Sequence, residues 1–149
     1  MPVFECRTEL AVSPERLFEF ITRVENMQKV SPPEVDMVIE EAPEVLALGS
    51  RLVFKVQAFG MPQQLIHEIV AFDAPRSFRE KMTKGPLASW IHDYIVEPHG
   101  DGHSALTNRI DFEPPGGMLG MLLTADRILG RLEDSYAVRG EALKKALQP

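Results

Sequence analysis

Trp90, His92, Tyr94 and Val96 recur at period two in a run that reads as a β-strand, so they share one face. If that face looks inward, an imidazole and a phenol stand among apolar walls. A small-molecule pocket is built that way, mostly apolar with a few polar groups to orient the ligand. A histidine so placed can hydrogen-bond a ligand or act as a general acid–base. The competing reading is a satisfied structural histidine beside a tyrosine whose hydroxyl sits at the rim. Glu80 falls in register with Phe78 and Met82, and Asn108 with Leu106, Ile110 and Phe112. Polar side chains on such faces need partners once buried, either across strands, with His92 for instance, or on a ligand. His67 alternates with Leu65 and Ile69 and joins them with less weight. As catalytic candidates His92 stands first, with Tyr94 and Glu80 next.

Other chemistry finds little support. His99, Asp101 and His103 are ligand types, but Gly100 and Gly102 between them give the spacing of a hairpin turn, and no fourth ligand follows, so no metal site is expected. Cys6 is the only cysteine, which excludes an internal disulfide, and without a neighbouring His or Lys it reads as a buried thiol. Phosphate loops, serine elbows and His-Glu-x-x-His patterns do not occur, and no cofactor is called for.

These residues have to be positioned by a chain of 149 residues, about one domain, so the expectation is a single domain over 1–149. Hydrophobic content of 44% and charged content of 26% suit a globular protein, and the net charge of −6 argues against nucleic acid and anionic membrane surfaces. No apolar run approaches the roughly 18 residues of a spanning helix, and the N-terminus lacks a signal-like pattern, so stable membrane insertion is not expected and the cytoplasm is the default location.

From Met118 to Leu147, apolar residues including Leu119, Leu122, Ala125, Leu129, Leu132, Tyr136, Leu143 and Leu147 recur mostly three or four apart, which predicts one long helix. Arg127, Arg131, Asp134, Glu141, Lys144 and Lys145 would form its solvated side. At about 1.5 Å per residue the helix would run roughly 45 Å, so it crosses the domain and the rest must wrap it. Gly130 and Gly140 mark either a kink or close packing on the sheet. Earlier in the chain, Val3–Val12 reads as a strand, and Ser13-Pro14-Glu15 opens a helix with Ser13 as cap. A second helical turn through Met27–Val30 stops at Ser31-Pro32-Pro33. Further strands are expected at Val35–Glu40, from Leu52 to Ala58 with Phe54 and Val56 on the same face, at Leu65–Phe72, Phe78–Met82, Trp90–Glu97 and Ala105–Phe112. The turns between them include Gly60-Met61-Pro62, Asp73–Arg76 and Gly85-Pro86. Short turns imply antiparallel pairing, and helices gathered on one face imply an α+β fold.

The order of elements and several local stretches resemble the helix-grip, START-like superfamily known as SRPBCC. Ser13-Pro14-Glu15-Arg16-Leu17-Phe18 looks like its first helix, and Val24-Glu25-Asn26-Met27 with Ser31-Pro32-Pro33 looks like its helix-to-strand crossing. Gly85-Pro86-Leu87-Ala88-Ser89-Trp90-Ile91-His92 is similar to a segment of a bacterial polyketide cyclase/dehydrase-like, cell-division-inhibitor-associated branch, as is Leu106–Gly116. The resemblance implies a curved antiparallel sheet of about seven strands wrapped around a long C-terminal helix, with two short helices after the first strand. It also implies a hydrophobic cavity for a lipid, quinone or polyketide-like ligand. Expected walls are Phe54, Val56, Phe78, Met82, Trp90, Ile110 and Phe112 from the sheet and Leu119, Leu122 and Leu123 from the helix; Glu80, His92, Tyr94 and Asn108 would orient the ligand. The leading expectation is a noncatalytic carrier. The alternatives are a cyclase/dehydratase using a pocket histidine as acid–base, favoured if two titratable groups converge in the pocket, and an interaction module with a vestigial pocket. For the last, Pro114–Met118 and Met121 offer an apolar corner as gate, loop or homodimer contact.

Overall fold

The computed structural model describes residues 1–58 and 61–148. Seven strands form one sheet in the order β1-β7-β6-β5-β4-β3-β2, with every neighbouring pair antiparallel. They are β1 (Val3–Leu10), β2 (Val38–Glu41), β3 (Arg51–Ala58), β4 (Met61–Asp73), β5 (Ser77–Lys84), β6 (Ser89–Pro98) and β7 (Ser104–Glu113). From β2 to β7 the sheet is a meander. The first strand closes on the last, so the segment after β1 carries the chain from one edge of the sheet to the other.

That crossing holds α1 (Pro14–Ile21) and α2 (Val24–Val30), then a single 3₁₀ turn at Pro33–Val35. Ser13 caps α1 by accepting a hydrogen bond at Oγ from Arg16 N at 3.2 Å. Leu17 and Phe18 are buried beneath α1, where Phe18 meets Phe72 and Phe78 edge-on at 5.5 and 6.0 Å. The second helix is longer than its sequence suggests, because Val24 N finds an acceptor in Glu44 O and begins the turn before Met27. The strand expected at Val35–Glu40 starts only at Val38, since the 3₁₀ turn and Asp36 in a left-handed conformation occupy its head. The strand expected at Leu65 begins at Met61, which pairs with Ala58; Gly60 of the expected turn lies outside the described residues.

The long C-terminal helix exists, but it is shorter than the apolar pattern implies. A separate helix, α3 (Gly117–Leu122), ends at Leu123, and α4 (Ala125–Leu147) starts afresh. Thr124 makes the break: its hydroxyl accepts from Arg127 N at 3.3 Å as an N-cap, with Asp126 in the first turn facing the positive end of the helix dipole. The 23 residues of α4 span roughly 35 Å. It buries Ile128, Leu132, Leu143 and Leu147 against the sheet, α2 and β1. Neither glycine of α4 is needed for close approach. A Cβ at Gly130 would meet nothing within 4 Å, and one at Gly140 would rest on Thr8 Oγ1 at an ordinary 3.4 Å. Gly120 differs, because a Cβ there would come within 2.1 Å of Pro115 O, which ties α3 to the strand exit.

One sheet face is polar, with Arg79 donating from Nε and Nη2 to the Asp93 carboxylate at 2.8 and 3.0 Å. Helix α4 covers the other face. The side chains between them belong to two apolar clusters, one around Leu17, Leu52, Ile69 and Phe78, the other around Phe4, Ile110, Phe112 and Ile128. The fold is the helix-grip α+β arrangement, and the sheet residues that could do chemistry all lie on the covered face. No helix among the described residues is long and apolar enough to cross a membrane.

Candidate functional site

Strand register assembles the site. Glu80 on β5 stands opposite His92 on β6, and Phe78 opposite Tyr94; Tyr94 in turn stands opposite Asn108 on β7. On the other side of β5, His67 stands opposite Met82. Because paired residues point to the same side of a sheet, His67, Glu80, His92, Tyr94 and Asn108 all face α4. Between this face, α2 and α4 lies a cavity of about 770 Å³, within the range of small-molecule sites. Phe54, Val56, Leu65, Met82, Trp90, Ile128 and Leu132 supply much of its apolar wall. His67, Glu80, His92, Tyr94, Tyr136 and Arg139 gather as its polar end, and Glu34, Arg131 and Asp134 also line it.

Within the polar end, each histidine has a distinct partner. His67 Nδ1 donates to Glu80 Oε2 in a contact buried from solvent. His67 also meets the edge of the Phe54 ring at 4.9 Å. His92 Nε2 instead donates to Asn108 Oδ1 at 2.9 Å, and the His92 ring lies flat on Tyr94 at 3.8 Å. Tyr94 continues the stack onto Phe78 at 4.3 Å, and Tyr136 from α4 meets His92 edge-on at 5.9 Å. Arg139 sits 5.2 Å over the Tyr136 ring and donates to Ser135 Oγ at 3.2 Å. Glu80 Oε1 and Trp90 Nε1 are buried with no hydrogen-bond partner among the described residues.

Burial sets the protonation states. Desolvation lowers the His92 pKa to about 4, outweighing the nearby Glu80 charge and the Asn108 hydrogen bond that favour the cation, so His92 is neutral at pH 7. Burial pushes Glu80 upward, yet the His67 charge and hydrogen bond, with His92 and Arg139 behind them, hold its carboxyl below the ordinary range. Burial and the Glu80 charge raise Tyr94 well above its usual value; burial pushes Tyr136 up to about 12 against the opposing Arg139 charge. Both phenols are therefore protonated donors at neutral pH.

Of the residues expected at the pocket, Phe54, Val56, Glu80, Met82, Trp90, His92 and Tyr94 line the large cavity. Phe78 and Asn108 do not. They border a smaller void of about 70 Å³ behind the Tyr94 ring, toward Thr8 and Gly140. Ile110, Phe112 and Leu123 pack into the apolar cluster beneath α4 instead of facing open space. Leu119 and Leu122 are displaced by the break at Thr124 and lie exposed on α3, beside Met118 and Met121 at 84% and 79% exposure. Arg131 and Asp134 are exposed, as their spacing suggested, and also border the cavity. What sequence reasoning passed over is the helical wall, in which Ile128, Leu132, Ser135 and Arg139 follow steps of four, three and four. It also passed over Met27 of α2 and the wall that follows this helix, from Pro32 through Val35 to Met37. The His99–His103 turn is held by His99 N donating to His103 O, and His99 Nε2 lies 3.2 Å from Glu9 Oε2.

Comparisons with known proteins agree with this geometry. No curated protein matches the chain significantly. Among solved structures, XoxI from Bacillus cereus superposes with a TM-score of 0.71 at 16% identity, over 99% of this chain and 96% of that one. Major latex-like protein 151 from Panax ginseng gives 0.70 at 18% identity, over 99% and 98%. TTHA0849 from Thermus thermophilus gives 0.68 at 16% identity, over 97% and 99%. At these identities the likeness is one of fold. The family model described as polyketide cyclase / dehydrase and lipid transport matches residues 1–147. With a gripped helix, an antiparallel sheet and a match along nearly its whole length, the chain belongs to the polyketide cyclase / dehydrase and lipid transport family of the SRPBCC superfamily.

Proposed function

We propose that the protein binds a largely apolar small molecule, of lipid, quinone or polyketide-like character, in the cavity between the sheet and α4. The observation that carries this reading is the cavity itself. Its volume of about 770 Å³ is within the range of sites that take small molecules, and its walls are mostly apolar with a few convergent polar groups. Apolar burial at roughly 25 cal/mol per Å² would supply the affinity. The description of the matched family, which couples cyclase and dehydrase activity with lipid transport, supports an apolar ligand.

His92 is poorly suited to be the acid–base group of a cyclase or dehydratase. Its Nε2 is engaged by Asn108, and desolvation depresses its pKa to about 4. The pair of converging titratable groups that favours catalysis is His67 with Glu80.

The test is native mass spectrometry of gently purified protein, followed by organic extraction and identification of whatever is carried. A defined apolar mass that is lost in Trp90→Ala, with folding intact, supports the reading. A protein that is always empty and takes up no apolar probe contradicts it.

A further inference from the structure

We infer that Glu80 and Trp90 make the cavity selective for a neutral, hydroxyl-bearing apolar molecule, whose O–H donates to Glu80 Oε1 while the same oxygen accepts from Trp90 Nε1. The inference rests on the cavity-binding reading above and names the group that separates one apolar ligand from another.

Two buried atoms lead to it. Glu80 is 3% exposed, the Nε1 atom of Trp90 is buried, and both side chains line the cavity. Glu80 Oε2 is taken by His67. Glu80 Oε1 has no hydrogen-bond partner among the described residues, and neither has Trp90 Nε1. The Tyr94 hydroxyl comes near Glu80 without closing a hydrogen bond to Oε1. Strand register sets the two side chains beside one another. Glu80 on β5 stands opposite His92, and Trp90 lies two residues before His92 on the same face of β6. They are diagonal neighbours, about 7–8 Å apart at the backbone, a span that long side chains cover.

The cost of stripping these atoms of water chooses the ligand. Solvent serves both while the cavity is wet, but a purely apolar molecule that displaces it leaves a carboxylate oxygen and an indole N–H dry. A ligand keeps the full gain of apolar burial only if it replaces that water with one donor and one acceptor. A hydroxyl is the smallest group that carries both on a single atom. Charge narrows the choice further. A carboxylate or phosphate would meet the Glu80 charge, and an amine cation would join His67 and Arg139, which already act on that carboxylate. A neutral phenol or alcohol avoids both costs. Sites that hydrogen-bond a ligand hydroxyl reject the analogue lacking it, because their own polar groups are then left unpaired.

The experiment measures, on the full chain, the displacement of directly excited 1-aminoanthracene by naphthalene, 2-naphthol, 2-methoxynaphthalene and 2-naphthoate. Transfer from water alone ranks naphthalene above 2-naphthol, so a preference for the naphthol has to come from hydrogen bonds. The wild type is expected to bind 2-naphthol at least about tenfold tighter than naphthalene. The methoxy compound, which keeps an acceptor but has no donor, should fall at least about fivefold behind 2-naphthol, and the naphthoate should fall behind it as well. Trp90→Phe keeps a ring and removes the N–H, so it should cut the naphthol-to-naphthalene ratio by about threefold or more; Glu80→Gln, which removes the charge, should also cut it. If Glu80→Gln does not fold, Trp90→Phe and the methoxy comparison decide the case. Equal binding of naphthol and naphthalene, naphthoate binding as tightly as naphthol, or a ratio unchanged in folded Trp90→Phe overturns the inference and leaves the cavity reading standing. Displacement by none of the four counts against the cavity reading itself, and the inference falls with it.

Discussion

Acid should weaken this fold through His92, by an amount that can be worked out. The residue is 2% exposed, and its pKa falls from the ordinary 6.5 to about 4 on folding. Between those two values the unfolded chain binds a proton at residue 92 that the folded chain refuses. Stability therefore rises with pH across that window: the full contribution is present above pH 6.5, it shrinks as pH falls, and no further loss occurs below about 4, where both states are protonated. At about 1.4 kcal/mol for each pH unit between the two values, the loss is about 3 kcal/mol, a large share of the 5–15 kcal/mol typical of a domain. The perturbation is His92→Gln, which cannot titrate but keeps an N–H for Asn108. Urea denaturation at half-unit steps from pH 4 to 7.5 gives the two stability profiles. Glu80, whose carboxyl is depressed, loses its contribution at still lower pH and does so in both proteins, so its effect largely cancels in the difference. The wild-type profile should be steeper than that of the variant by up to one proton's slope between pH 4 and 6.5. Parallel profiles in that window would refute the claim that desolvation keeps His92 neutral.

Two further predictions concern α4. Thr124→Ala removes the hydroxyl that accepts from Arg127 N and should cost about 1 kcal/mol, read as a lower urea midpoint with an unchanged slope. Gly130→Ala, on an exposed helix position with nothing within 4 Å of a new Cβ, should stabilise by up to about 1 kcal/mol. A lower Tm for that variant would mean that Gly130 serves a conformation the helix does not show.

How much of this was legible in the sequence differs from element to element. Period-two spacing put Trp90, His92 and Tyr94 on one face, and the structure places all three on the cavity. The same rule put Glu80 and Asn108 on the covered side and offered His92 as a cross-strand partner, which it is for Asn108 but not for Glu80. His92 bonds to Asn108 and Glu80 to His67, each diagonally across strands, and the second pairing depends on a register shift between Ile69 and Ala71 that alternation does not reveal. Leu119 and Leu122 kept the helical rhythm running through Thr124. Rhythm concealed a cap whose own signature, Thr124 followed by Asp126, was present in the chain. Arg131 and Asp134 are exposed as read, but charge alone could not show that they also stand at the rim of a cavity. The wall after α2 is irregular backbone, where no periodicity exists to be read.

The central claim is that the space between sheet and α4 receives an apolar molecule, and Trp90 in its wall is a built-in reporter. The most direct measurement is a fluorescence titration with 1-aminoanthracene, a neutral apolar probe excited by energy transfer from Trp90. It is run beside Ser135→Phe, which places an aromatic ring into the cavity from α4. The account predicts saturable transfer at one probe per chain in the wild type, weakened by about tenfold or more, roughly 1.4 kcal/mol, in the folded variant. Transfer that never saturates, or an affinity that Ser135→Phe leaves unchanged, would contradict it.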